Sequence, residues 1–353
     1  MTHLTYLEAA VVGLIQGVTE LFPVSSLGHN VLIPALIGGS WARDLNVASQ
    51  ESPYLAFIVG LHVATAIALL IYFWRDWVRI IKGFFSSLRQ ITRPAEGTTR
   101  WMLQSADEQL AWLIILATIP VGLAGLAFEH LFRVIFGKPA YAAVFLIING
   151  LILIAGERFR SRASLRADRQ IAAARAHGRT AARAGQAGHA AGRRDMWQGN
   201  VWEPAQPEAR WEGQEPDYAA ESDQRLAAMR PNRAVVIGAA QVLALAAGIS
   251  RDGVTMVAGM ARGLSREDAA RFAFLLATPV ILAAGALKIP DLMGPLGNGI
   301  HGQIVVGSIL SGVGAYLSVR YLTRYFVTRT LTPFGIYCLI AGLASIAYLQ
   351  LVK

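Results

Sequence analysis

Six stretches of the chain, 53–74, 109–128, 139–156, 269–287, 303–322 and 333–351, run for eighteen to twenty-two residues with at most one charged residue apiece. A helix needs about 20 apolar residues to cross a bilayer, and lipid leaves a spanning backbone few options besides the helix. The fold class predicted is an all-α polytopic membrane protein with six transmembrane helices. Composition agrees: 54% of the 353 residues are hydrophobic and 16% are charged. The net charge of +9 raises nucleic acid as a partner, but the basic residues lie between the apolar runs, as cytoplasmic loop charges do. The single cysteine, Cys338, excludes an internal disulfide, and no Cys/His spacing suggests zinc. The start lacks a basic segment and a cleavage site, so no signal peptide is expected.

Two further apolar units, 5–37 and 234–261, are interrupted midway. In the first, Gln16 and Glu20 are four apart and share a helix face. Pro23 then breaks the helix, and Ser25 and Ser26 are good N-caps for a second one. In the second, Gly248-Ile-Ser250-Arg251-Asp252-Gly253 sits at the centre. Both are read as re-entrant helix pairs, because irregular backbone at membrane depth is tolerated where protein covers it. At an offset of 225, Gly13 meets Gly238, Gln16 meets Gln241, Val24 meets Ile249, Ser25 meets Ser250 and Gly28 meets Gly253.

Charge orients these units. If six spans cross, one side receives 75–108 with six basic residues, 158–233 with fourteen arginines, and 262–271 and 320–329 with three each. The opposite loops hold only Arg43, Arg133, Lys138 and Lys288, so the first side is cytoplasmic and both termini lie outside. The first pair then enters from outside and the second from inside, an inverted-topology repeat whose breaks meet near the midplane. Domains follow: a first membrane half, 1–156; an Arg/Ala-rich cytoplasmic loop, 157–233, expected to be mostly disordered; and a second membrane half, 234–353. Residues 76–93 alternate Trp77, Ile80, Ile81, Phe84, Phe85 and Leu88 with Arg79, Lys82 and Arg89. That pattern makes a helix on a membrane surface, the alternative being a soluble helix in a loop.

Gln16, Glu20, His29 and Arg251 all stand in apolar surroundings. An Arg or Asp at the centre of a membrane helix costs about 2.5–3.5 kcal/mol, so their gathering in a protein-lined cleft implies function. Their chemistry suits phosphate. Arg251 offers a planar fork. Gly248 and Gly253 allow close backbone approach, and Ser250 and Thr255 bring hydroxyls to a helix N-terminus. Glu20 with Gln16 offers oxygen ligands to a hard cation such as Mg²⁺. His29 with Ser25 and Ser26 supplies a base and a nucleophile, or the two serines are only caps. His62 is read as polar packing within its span, and Glu129 as a charge in an outside loop.

At these residues the chain resembles the undecaprenyl-diphosphate phosphatase family, linked to bacitracin resistance. The family carries (E/Q)xxxE followed by PVSSxGH, here Gln16-x-x-x-Glu20 and Pro23-Val-Ser-Ser-Leu-Gly-His29. Its second motif, PGxSRSGxT, reads here Ala247-Gly-Ile-Ser250-Arg251-Asp252-Gly253-Val-Thr255. Ala270–Pro279 is similar to the family's next helix. The resemblance covers 1–156 and 231–353, with 157–230 as an insertion. It implies removal of the terminal phosphate of a C55 isoprenoid diphosphate, with a divalent metal (Mg²⁺, or Ca²⁺ in its place), on the outer face of the bacterial cytoplasmic membrane. It also implies a homodimer. Carried over, Gln16 and Glu20 serve metal and water, Ser26 or a water is the nucleophile, His29 is acid/base, and Arg251, Ser250 and Thr255 bind the diphosphate, beside Ser25, Gly248 and Gly253. Two positions depart: Ala247 replaces Pro, and Asp252 replaces Ser. Asp252 either binds the metal, pairs with Arg251, or alters the activity. The rival reading is a transporter or flippase for a phosphorylated lipid, because inverted repeats with broken helices also bind anions there.

Overall fold

The computed structural model describes residues 4–45, 53–92, 105–136, 138–162, 218–294 and 299–351, which form helices and their connections with no strand among them. In order these are α1 (Tyr6–Leu21), α2 (Ser26–Ile37), α3 (Gly39–Asp44), α4 (Pro53–Tyr72), α5 (Trp74–Thr92), α6 (Ala106–Phe136) and α7 (Pro139–Arg162). Then follow α8 (Tyr218–Ala227), α9 (Pro231–Ala240), a 3₁₀ turn (Gln241–Leu245), α10 (Arg251–Ala261), α11 (Arg266–Met293), α12 (His301–Thr328) and α13 (Thr332–Leu351). Residues 1–157 with 220–353 make one compact unit; 158–219 make a second, described only where it closes α7 and opens α8.

Five helices are long and apolar enough to cross a membrane: α6, α7, α11, α12 and α13. The sixth expected span, α4, turns by 84° into α5 at Phe73. The chain is thus a multi-pass membrane protein. The bend has a simple cause: α4 carries no charge, whereas α5 turns Ile80 and Phe84 to the core and leaves Lys82 outside. An amphipathic helix cannot continue a transmembrane path without burying its charged face.

Contacts sort the connections into two ends. At one, Arg79 of α5 reaches Asp76 at 2.7 Å, Asp107 of α6 at 3.0 Å and Asp223 of α8 at 2.6 Å. Arg271 of α11 joins the same Asp223 and Asp76 at 2.7 and 2.9 Å. Nearby, Glu157 at the end of α7 accepts from Arg266 of α11 and from the Leu331 amide before α13. All of these belong to segments assigned to the cytoplasmic side. At the other end, Gln303 opens α12 and donates to the Leu4 carbonyl at 3.0 Å.

Residues 157–233 are not all loop: 157–162 extend α7, and 218–227 form α8, whose Ser222 and Leu226 are fully buried. Asp223 and Arg225, the latter bound to Asp268 at 2.8 Å, tie α8 to the bundle more firmly than composition alone conveys. Residues 163–217, which carry the rest of the disorder expectation, lie outside the described residues, as do residues 46–52 and the Glu129 side chain.

α1 and α2 are 16 and 12 residues long, and α10 is 11. At 1.5 Å per residue the longest reaches about 24 Å, short of a roughly 30 Å hydrocarbon core. A capping box starts α1, with Thr5 and Glu8 exchanging bonds at 2.8 and 3.2 Å. The helix then lies directly on α12: a β-carbon on Gly17 would strike the Ser311 carbonyl, and one on Gly13 would strike that of Gly307. Gly238, at the matching place in the second unit, meets the Ala117 carbonyl of α6 in the same way. Gly17→Val therefore destabilises the protein by about 2–3 kcal/mol. Gly122→Val, where a β-carbon meets nothing, shifts stability by less than about 0.5 kcal/mol. Equilibrium unfolding of both variants in mixed micelles checks this; equal behaviour would mean that α1 does not seat this closely.

Candidate active site

The two breaks touch. Ser25 is the N-cap of α2, and its Oγ accepts from the Gly28 amide at 3.2 Å and from the Gly248 amide of the opposite unit at 3.1 Å. Ser25 holds φ at 70°, a conformation costing a side-chain-bearing residue about 1–3 kcal/mol, which those two bonds offset. Gly248 holds φ at 110°, and a β-carbon there would strike the Ala142 carbonyl of α7. Ser250 caps α10 as Ser25 caps α2, accepting from Gly253 at 3.1 Å. The offset of 225 is thus a structural equivalence: each serine accepts from the glycine three residues on. The pairs also enter from opposite ends. Tyr54, at the start of α4, donates to the Asn30 carbonyl of α2 at 3.3 Å, whereas Arg233 of α9 and Arg262 after α10 meet at 3.4 Å.

Across this junction lies a buried polar cluster. Glu20, one residue from the end of α1, accepts from Gln16 Nε2 at 2.9 Å and from the Ser26 hydroxyl. Its other oxygen accepts from the Arg251 guanidinium at 3.0 Å. Arg251 Nε also meets Asp252 Oδ1 at 3.3 Å, so one cation holds two carboxylates. Gln16 is completed by Asn30, whose amide donates to it at 2.5 Å. Glu20, Ser26, Gln16 and Arg251, four of the expected site residues, therefore form one connected group from both tips.

The remaining candidates have other partners. His29 Nδ1 donates to the Ser25 carbonyl at 2.7 Å, and its Nε2 meets the Tyr337 hydroxyl of α13 at 2.7 Å, so the ring bonds to neither Glu20 nor Ser26. Thr255 donates to the Arg251 carbonyl at 2.7 Å. Gly253 packs 3.3 Å from Pro23 if given a β-carbon, which places it at the tip contact.

Two residues that sequence reasoning passed over, Tyr337 and Asn149, enter the site, and so does His62, which was read as span packing. His62 is more than span packing: its Nδ1 bonds the Ile58 carbonyl at 2.9 Å, which turns Nε2 to within 3.5 Å of Glu20. Tyr337 completes His29. Asn149, fully buried on α7, donates to the Pro23 carbonyl and accepts from the Ser250 amide, both at 3.0 Å. A polar side chain in each of three apolar spans was the available signal, and spacing alone did not say where each pointed.

The donor set suits a hard cation only in company. Among the described residues no cluster of three or more His, Cys, Asp and Glu would hold one alone. Two carboxylates share one guanidinium, and Asp252 Oδ2 is buried with no partner among the described residues. One excess negative charge and an unused carboxylate oxygen fit the usual Mg²⁺ arrangement of one or two carboxylates plus substrate phosphate oxygens.

Comparison with known proteins bears on the same residues. The model of the bacitracin resistance protein BacA family matches residues 9–187 and 209–344, including both tips. The chain belongs to that family. A protein named undecaprenyl-diphosphatase from Mycolicibacterium paratuberculosis is 58% identical over 349 residues, covering 99% of each chain. Undecaprenyl-diphosphatase 2 of Frankia alni is 52% identical over 97% of each. Undecaprenyl-diphosphatase 2 of Burkholderia lata is 36% identical over 96% of this chain and 94% of its own. The family match thus takes in both tips and most of the membrane helices and leaves out 188–208, within the 157–230 segment.

Proposed function

We propose that the protein is an undecaprenyl-diphosphatase, hydrolysing undecaprenyl diphosphate to the monophosphate and phosphate and so returning the lipid carrier to cell-wall synthesis. One observation carries the reading: a hydroxyl bound to a carboxylate on one tip faces a guanidinium from the other. This is the pairing of a nucleophile with its base beside a fixed positive charge. A transporter of the same lipid needs the cation but has no use for a base on the Ser26 hydroxyl.

Ser26 Oγ attacks the terminal phosphorus, and its proton passes to Glu20. The bond to the bridging oxygen breaks, and the lipid monophosphate leaves with the electron pair. When water releases the phosphoryl group as inorganic phosphate, Ser26 regains its proton from Glu20. Arg251 stabilises charge on the transferring group and orients Glu20. His29, held by Ser25 and Tyr337, supports the turn that presents Ser26. A divalent cation, when bound, neutralises diphosphate charge and polarises the phosphoryl group. Glu20 would hold it, with Gln16 orienting that carboxylate and Asp252 as a second anionic donor. The family resemblance supports a site in the bacterial cytoplasmic membrane that opens to its outer face, and the basic loops support only the orientation of the spans around it.

The test is phosphate release by the purified protein from undecaprenyl diphosphate in detergent. Release is expected with Mg²⁺, falling at least a hundredfold with a chelator and recovering when Mg²⁺ is restored. Lipid movement across proteoliposomes without phosphate release would hand the site to the transporter reading. Full release in chelator would remove the cation.

A further inference from the structure

The Glu20–Arg251 contact joins residues 231 apart in sequence, so something must set the distance between the tips. Ser25 Oγ accepts directly from Gly248 across the gap. Asn149 links the tips from outside. It stands in the middle of α7, which belongs to neither broken pair, and is fully buried. Its amide nitrogen donates to the Pro23 carbonyl at 3.0 Å and to Cys338 Sγ of α13 at 3.3 Å. Its amide oxygen accepts from the Ser250 amide at 3.0 Å.

Both backbone partners are groups that the breaks set free. The Pro23 carbonyl has lost its place in α1, and the Ser250 amide belongs to the N-cap residue of α10, outside the helical bonding of that helix. Pro23 lies three residues before Ser26, and Ser250 immediately precedes Arg251. A primary amide is the small side chain that carries a donor and an acceptor diverging from one rigid plane. A carboxylate accepts only, and an aliphatic side chain of the same size does neither. The Cys338 contact occupies the remaining N–H, so the plane of the amide is determined by three neighbours.

We propose that Asn149 is a positioning residue of the phosphatase site, an amide clamp that sets the separation of the two half-helix tips and through them the meeting of Ser26 and Glu20 with Arg251. The proposal rests on the hydrolase reading for its kinetic consequence and on geometry alone for its structural one. Asn149 touches none of the reacting groups. Its effect passes through Pro23 and Ser250, and misplacement of a catalytic group by about 1 Å is worth about a hundredfold in rate.

The experiment compares wild type with Asn149→Leu and Asn149→Ala. Turnover is measured per folded molecule, well below the melting temperature of each variant. Hydrogen exchange is followed in peptides covering 22–29 and 246–253. The expected result is a kcat about a hundredfold lower with KM changed less than threefold, together with faster exchange in both tip peptides and unchanged exchange along α12. A residue that merely held helices together would lower the melting temperature and leave kcat of the folded fraction near wild type; that result overturns the proposal. So does unchanged exchange at either tip. Absence of phosphate release from wild type would instead sink the hydrolase reading, and the exchange measurement would still decide whether Asn149 clamps the tips.

Discussion

Arg251→Ala lowers phosphate release by about a thousandfold or more and destabilises the protein by about 3–5 kcal/mol. The two effects share one cause. The guanidinium lies between Glu20, 3.0 Å from Nη2, and Asp252, 3.3 Å from Nε, and both carboxylates are almost wholly buried. Its removal leaves two negative charges facing each other with no compensating cation, at the point where an anionic substrate must enter. Arg251→Lys recovers part of the stability and little of the rate. An ammonium supplies the charge but cannot serve two carboxylates from two edges of one plane. Steady-state kinetics and unfolding in the same detergent measure both quantities. A variant with turnover within tenfold of wild type would mean that the guanidinium does not face the reacting phosphate.

Glu20→Gln lowers turnover by about a thousandfold but costs far less stability, about 1–2 kcal/mol. The amide keeps the shape of the carboxylate and an oxygen for the Ser26 hydroxyl, so the tip stays in place. It has no basicity with which to take the Ser26 proton. Arg251 keeps Asp252 as its counter-charge, so no buried cation is stranded. The pair of variants therefore separates catalysis from folding: both lose activity, and only the arginine variant loses much stability. Melting temperatures for the two, read beside their kcat values, check the asymmetry. Equal losses of stability would show that Glu20 is chiefly a structural counter-ion of Arg251.

The asymmetry between the two halves explains why the site was partly legible. Laid over each other at 225, the units share their caps and their close-packing glycines, yet Glu20 falls on Leu245 and Ser26 on Arg251. Gln16 is satisfied by Glu20 and Asn30, whereas its counterpart Gln241 has no side-chain partner among the described residues. The repeat thus supplies two matching tips, and divergence between them placed the carboxylate and hydroxyl on one and the guanidinium on the other. Polar residues at helix breaks in apolar sequence are visible without coordinates, because lipid penalises them wherever they lack a purpose. The partners of His29 were not visible. Its spacing from Ser25 and Ser26 suggested a shared reaction centre, but the strained turn at Ser25 directs one ring nitrogen to a backbone carbonyl and the other to α13.

What the amino-acid order determined by itself was the class of fold, the placing of the apolar helices, the two interruptions and the clustering of basic residues in one set of loops. Each follows from local properties: hydrophobic length, proline and glycine chemistry, capping and charge. The tertiary structure alone decided that His62 looks at Glu20, that α8 belongs to the bundle, and that an asparagine on a third helix joins both tips. Those facts depend on which face of each helix meets which neighbour. A helix presents its side chains around a full circle, and packing chooses among directions that spacing leaves equivalent.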